Sequence, residues 1–176
     1  MKNINWDNVQ EAGEFNDPTP GGYAARITNV EDWEKKECLK IEWDFADGEF
    51  KGHNREISDK FGFWPISCIR SYKEKALPFF KAFKTAVENS NPGYTFKNDP
   101  QSLVGKFIGV VLGEEEYEAK DGSIKTRLYV DQIRSGQAIR DGDFKVPEKK
   151  TLAPRVIEKA SDAFPVLTED DDQLPF

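Results

Sequence analysis

The segment from Cys38 to Asp47 constrains this chain most, because Leu39, Ile41, Trp43 and Phe45 alternate without a break with Lys40, Glu42 and Asp44. A period of two puts the large apolar groups on one face and the charged ones on the other, the pattern of a half-buried β-strand. Such a strand needs neighbours to cover it. Tyr23 to Glu31 supplies one, with Tyr23, Ala25 and Ile27 set against Ala24, Arg26 and Thr28. Before it, Asp17-Pro18-Thr19-Pro20-Gly21-Gly22 is a breaker cluster that ends an N-terminal extension, residues 1–22, whose Trp6 and Phe15 are expected to pack onto the body.

Asp47-Gly48 opens a turn, and Lys51-Gly52-His53-Asn54 leads into a short third strand predicted near Arg55 to Ser58. The period then changes: Ile69, Tyr72, Ala76, Phe79, Phe80, Phe83 and Val87 recur at three and four, which predicts an amphipathic helix over Ile69 to Asn89. Pro78 should kink it or start a second helix there. Strand signals return at Lys106 to Tyr117 and Ile124 to Ile133, joined by Lys120-Asp121-Gly122-Ser123, a hairpin turn. In the last strand Ile124, Thr126, Leu128 and Val130 alternate with Lys125, Arg127, Tyr129 and Asp131, so one face is apolar and the other basic and aromatic. After Arg134 the period is lost, and 136–167 reads mostly as linker.

The prediction is a mainly β protein with a helical insert (α+β). It has an OB-like five-stranded barrel over 23–135, an insert around 66–90, a long hairpin between the last two strands, and a disordered acidic tail ending in a tip at 168–176. A chain of 176 residues with 38% hydrophobic content suits one such domain plus unfolded chain. No run of roughly 18 apolar residues is present for a membrane span, and Met1 to Trp6 lacks a signal-peptide core, so no membrane partner is expected and the cytoplasm is the predicted location.

Composition also narrows the chemistry. Cys38 and Cys68 lack metal-site spacing and read as buried thiols, while His53, the sole histidine, excludes mechanisms that need two imidazoles. No phosphate loop, nucleophile elbow or His-Glu-x-x-His helix occurs, so no enzyme activity, cofactor or metal is predicted, and a metal-dependent nuclease stays as the minor alternative.

Holding a flexible single strand without reading its sequence takes cations that track phosphates and flat aromatic faces on which bases stack. Both occur in clusters. Trp33 with Lys35, Lys36 and Lys40 lies in and beside the loop joining the first two strands. Tyr117, Lys120, Lys125, Arg127 and Tyr129 surround the Asp-Gly hairpin. In OB folds these two loops flank the binding face. Within Lys60-Phe61-Gly62-Phe63-Trp64-Pro65, Trp64 is a further candidate for that groove, whereas Phe61 and Phe63 are expected in the core, as are Trp43 and Phe45.

Net charge is −7, of which residues 151–176 carry −4, two cations against six carboxylates. That segment ends Asp170-Asp171-Asp172-Gln173-Leu174-Pro175-Phe176, two large apolar side chains beside an acidic run, which suits capture by a basic pocket with an apolar floor. It resembles the acidic tip of bacterial single-stranded-DNA-binding proteins, with Gln173 where that tip has an aspartate. The resemblance implies docking onto replication and recombination proteins of host or phage through Asp170, Asp171, Asp172, Leu174, Pro175 and Phe176. The body resembles the OB-fold single-stranded-DNA-binding proteins of bacteriophages and prophages over most of residues 20–134. The motifs are Gly22-Tyr23-x-Ala25-x-Ile27, Asp47-Gly48-Glu49-Phe50-Lys51-Gly52 and Leu103-Val104-Gly105-Lys106, none of which carries over a DNA contact. The expectation is sequence-independent binding of single-stranded DNA in phage replication or recombination, with partners recruited by the tip; a homo-oligomer is compatible with it. A protein-interaction adaptor without DNA binding is the alternative.

Overall fold

The computed structural model describes residues 16–153. The strongest alternation in the sequence becomes β2 (Cys38–Phe45), with Leu39, Ile41, Trp43 and Phe45 buried. It is flanked by β1 (Gly21–Trp33) and β3 (Ser67–Ser71), both antiparallel to it. β1 is shared: its first half pairs with β4 (Phe107–Glu118), and β4 pairs in turn with β5 (Ile124–Arg134), so the sheet order is β3-β2-β1-β4-β5. A register shift between Ile27 and Asn29 interrupts the β1–β2 ladder; such bulges bend a strand. The sheet is not closed. β3 and β5 approach each other without forming a ladder, which leaves the OB-like barrel partly open.

Inside, Trp43 and Phe45 meet edge to face at 5.1 Å, and Tyr23 packs on Phe45 at 5.2 Å. The helix α2 (Leu77–Ser90) contributes the buried Phe83 and Val87 to the same core. Pro78 stands in its first turn, where a missing N–H costs nothing, so the proline starts a helix as the sequence suggests.

Two predicted elements are corrected. Arg55 to Ser58 is helical, part of α1 (His53–Phe61). The cause is a long-range cap: the Asp44 carboxylate on β2 accepts the N–H groups of Asn54 (3.0 Å) and Arg55 (3.1 Å), and the Asn54 amide donates to the Trp43 carbonyl at 2.8 Å. An acid at a helix N-terminus satisfies orphan donors and complements the dipole. The predicted helix from Ile69 likewise starts too early, because Cys68 is buried and Ile69 exposed, the alternation of an edge strand paired to β2.

The segment read as linker begins inside the body. α3 (Gly136–Arg140) lies against β4, where a side chain at Gly109 would bring its Cβ to 2.3 Å from Ile139. Beyond α3 the chain runs back along the sheet, and Lys150 exchanges backbone hydrogen bonds with β4, donating to Glu114 at 2.9 Å and accepting from Glu116 at 2.8 Å. Among the described residues no helix is long and apolar enough to cross a membrane.

Candidate nucleic-acid interface

Trp33 is the last residue of β1, paired with Cys38, rather than a loop residue. Glu34–Lys36 form a short 3-10 turn and Glu37, in the left-handed region at φ 51°, closes the connection. The indole N–H donates to Glu31 at 3.1 Å, and the Lys36 ammonium stands 4.6 Å from the ring centroid. Lys35 is exposed beside them. Lys40 differs. It is held between Glu42 at 2.9 Å and Glu31 at 3.5 Å, and the hydrogen bond to Glu42 above all raises its pKa. Its charge is matched within the protein.

The hairpin carries the second cluster. Register places Tyr117 opposite Lys125, Glu115 opposite Arg127 and Gly113 opposite Tyr129, all on one face. Arg127 bonds Glu115 at 2.8 Å while its guanidinium lies 5.0 Å from the Tyr117 ring centroid. Lys120 is exposed in the turn, which Asp121 shapes by accepting from the Ser123 hydroxyl at 2.6 Å and its N–H at 3.0 Å; these bonds lower the Asp121 pKa. Alternation sends Glu114, Glu116 and Glu118 to the opposite face with Thr126 and Leu128. The hairpin thus gathers Lys125, Arg127 and the two tyrosines on one side, with Glu115 among them, and turns Glu114, Glu116 and Glu118 to the other.

No protein-family model matches the chain, and no curated protein matches it. Three rings named from the sequence each bear a cation: Trp33 with Lys36, Tyr117 with Arg127, and Tyr129 with Lys150, whose ammonium lies 3.8 Å from the ring centroid. Lys150 was not among the sequence candidates, because only the fold brings residue 150 beside residue 129.

The two clusters are not brought into contact. Trp33 ends β1, whereas the hairpin projects past Gly21, where β1 begins. Thirteen residues of strand span at most about 40 Å, less where a bulge bends the strand.

Trp64 is half-buried and tied down, its indole N–H donating to the Trp43 carbonyl at 3.1 Å, so it joins the α1–β3 connection to β2. Phe61 and Phe63, expected in the core, are instead 59% and 57% exposed, with ring centroids 6.3 Å apart. The available signal was Gly62, which ends α1 in a left-handed turn and carries both neighbours outward. Cys38 and Cys68 are buried as expected, and burial pushes the Cys68 thiol up to about 11. Among the described residues no group of three or more acidic, histidine or cysteine side chains is placed to hold a metal. Trp6, Phe15 and the tip residues Asp170 to Asp172 and Leu174 to Phe176 lie outside the described residues.

Proposed function

We propose that this protein binds single-stranded DNA without sequence preference and recruits replication or recombination proteins through its C-terminal tip, in the manner of the phage proteins its body resembles. The observation that carries this reading is the repeated pairing of an aromatic ring with a cation at Trp33–Lys36, Tyr117–Arg127 and Tyr129–Lys150. A nucleotide presents the matching pair, a flat base and an adjoining phosphate. Stacking on such rings is worth about 1–3 kcal/mol per base and is indifferent to base identity.

The position of the pairs supports the same reading. They sit at the β1–β2 connection and on the β4–β5 hairpin, the two loops that flank the binding face in OB folds. Lys35, Lys36, Lys120, Lys125 and Arg127 are the proposed phosphate contacts, with Lys40 subordinate because Glu31 and Glu42 already hold it. The recruitment half rests on the sequence of the tip. Titrating the full chain with oligo-dT while following tryptophan fluorescence tests the reading, since a stacked base should quench Trp33. Unchanged fluorescence and no retention of the oligomer would favour the adaptor without DNA binding.

A further inference from the structure

Tyr129 is not an open platform. Its ring tip lies over Gly113, where an added Cβ would stand 2.8 Å from the Tyr129 Cζ and 2.6 Å from the Pro147 ring, so glycine is what lets the tyrosine and the returning chain cross β4 here. The Lys150 ammonium lies over the ring at 3.8 Å. A base that stacks on Tyr129 must take the place of that ammonium.

The ammonium cannot go far. Beyond Gly21, where β1 no longer covers β4, the chain around Lys150 pairs in parallel with the exposed edge of β4. Lys149 turns to the other face and pairs with Glu116 at 3.3 Å, and the Leu152 N–H reaches the same carboxylate at 3.3 Å. This returning strand therefore fixes the Lys150 backbone beside the hairpin and leaves its long side chain to swing. Hydrogen bonding to Tyr129, foremost, and the nearby Asp131 and Glu115 raise the Lys150 pKa, so the group is charged throughout the neutral range.

We infer that residues 149–152 form a third rail of the hairpin site, on which Lys150 is an exchangeable cation: it occupies the Tyr129 ring in the free protein, yields the ring to a base, and moves to the adjoining phosphate. The inference rests on the single-stranded-DNA reading above. The exchange is downhill because an exposed cation–π contact is weaker than a stacked base, and the displaced ammonium gains a phosphate in return.

The test compares the full-length wild type with Lys150→Gln and Lys84→Gln for oligo-dT affinity over a series of NaCl concentrations. Each phosphate contact contributes about 0.7 to the slope of log K against log salt for single strands. Lys150→Gln is expected to weaken binding several-fold at low salt and to reduce the slope by about 0.7. Lys84→Gln, on α2 where Lys84 pairs with Glu88 at 3.8 Å and outside the proposed site, should keep the wild-type slope. Two results overturn the inference while leaving the wider reading intact: an unchanged slope in Lys150→Gln, or tighter binding, which would make Lys150 only a cover. A wild type that fails to bind the oligomer overturns both. Thermal melting of each variant separates a lost contact from a lost fold, and a Lys150→Gln chain that melts early with an unchanged slope assigns Lys150 a structural role instead.

Discussion

At the scale of single residues, the proposed binding needs rings that have a face to offer and cations that have a charge to spare. Trp33 and Tyr117 hold Lys36 and Arg127 across exposed or half-buried surface, and a phosphate would have to compete with Glu115, 2.8 Å away, for Arg127. Lys40 fails the second condition, with two carboxylates within 3.5 Å. Trp64 is committed to the Trp43 carbonyl. Alanine at Trp33, Tyr117 or Tyr129 is therefore expected to weaken oligo-dT binding by about 1–3 kcal/mol each, roughly 5- to 150-fold, whereas Lys40→Ala changes it little. Fluorescence anisotropy of a labelled oligomer measures both. The residue types of this site were legible in the sequence because strand alternation alone sorts Lys125, Arg127 and Tyr129 onto one face. The ring partner of Tyr129 was not, since only the return of the chain along β4 brings Lys150 beside it, and the pairing of Lys40 with Glu31 needed the β1–β2 register.

At the scale of elements, β1, β2, β4, β5 and α2 follow from local pattern, while α1 and the returning strand do not. α1 has little apolar face of its own, with only Asn54 buried, and its start depends on Asp44 of another element. The same carboxylate also accepts the Phe45 N–H at 2.8 Å, so three donors depend on one buried acid. Asp44→Ala is expected to cost about 2–4 kcal/mol of stability, because buried donors lose a charged acceptor. Asp44→Asn, which keeps one acceptor oxygen, should cost less. Urea denaturation provides the measurement, and a neutral Asp44→Ala would mean α1 is held by other contacts. β3 was hidden for a different reason: outward-facing Ile69 falls on the helical period of the residues that follow, and only pairing to β2 reveals it as a strand.

At the scale of the whole molecule, the acidity of the chain is unevenly distributed along the sequence. Residues 151–176 carry −4 of the −7, and the hairpin turns Glu114, Glu116 and Glu118 away from Lys125 and Arg127. The body and the tip are thereby proposed to do separate work. Deleting Leu174 to Phe176 is expected to leave single-strand affinity unchanged or higher while abolishing capture of replication proteins from host extract; a large fall in DNA affinity would deny the separation. The claim that the body holds DNA by phosphate and base stacking makes a sharper demand. Five or six cations on phosphate imply a salt slope of about −3.5 to −4.2 for a single strand. The most direct measurement is the affinity of the full chain for oligo-dT and for a duplex of equal length across a range of NaCl concentrations. The account predicts that slope for the single strand and weaker binding of the duplex. Salt-insensitive binding, or preference for the duplex, would contradict it.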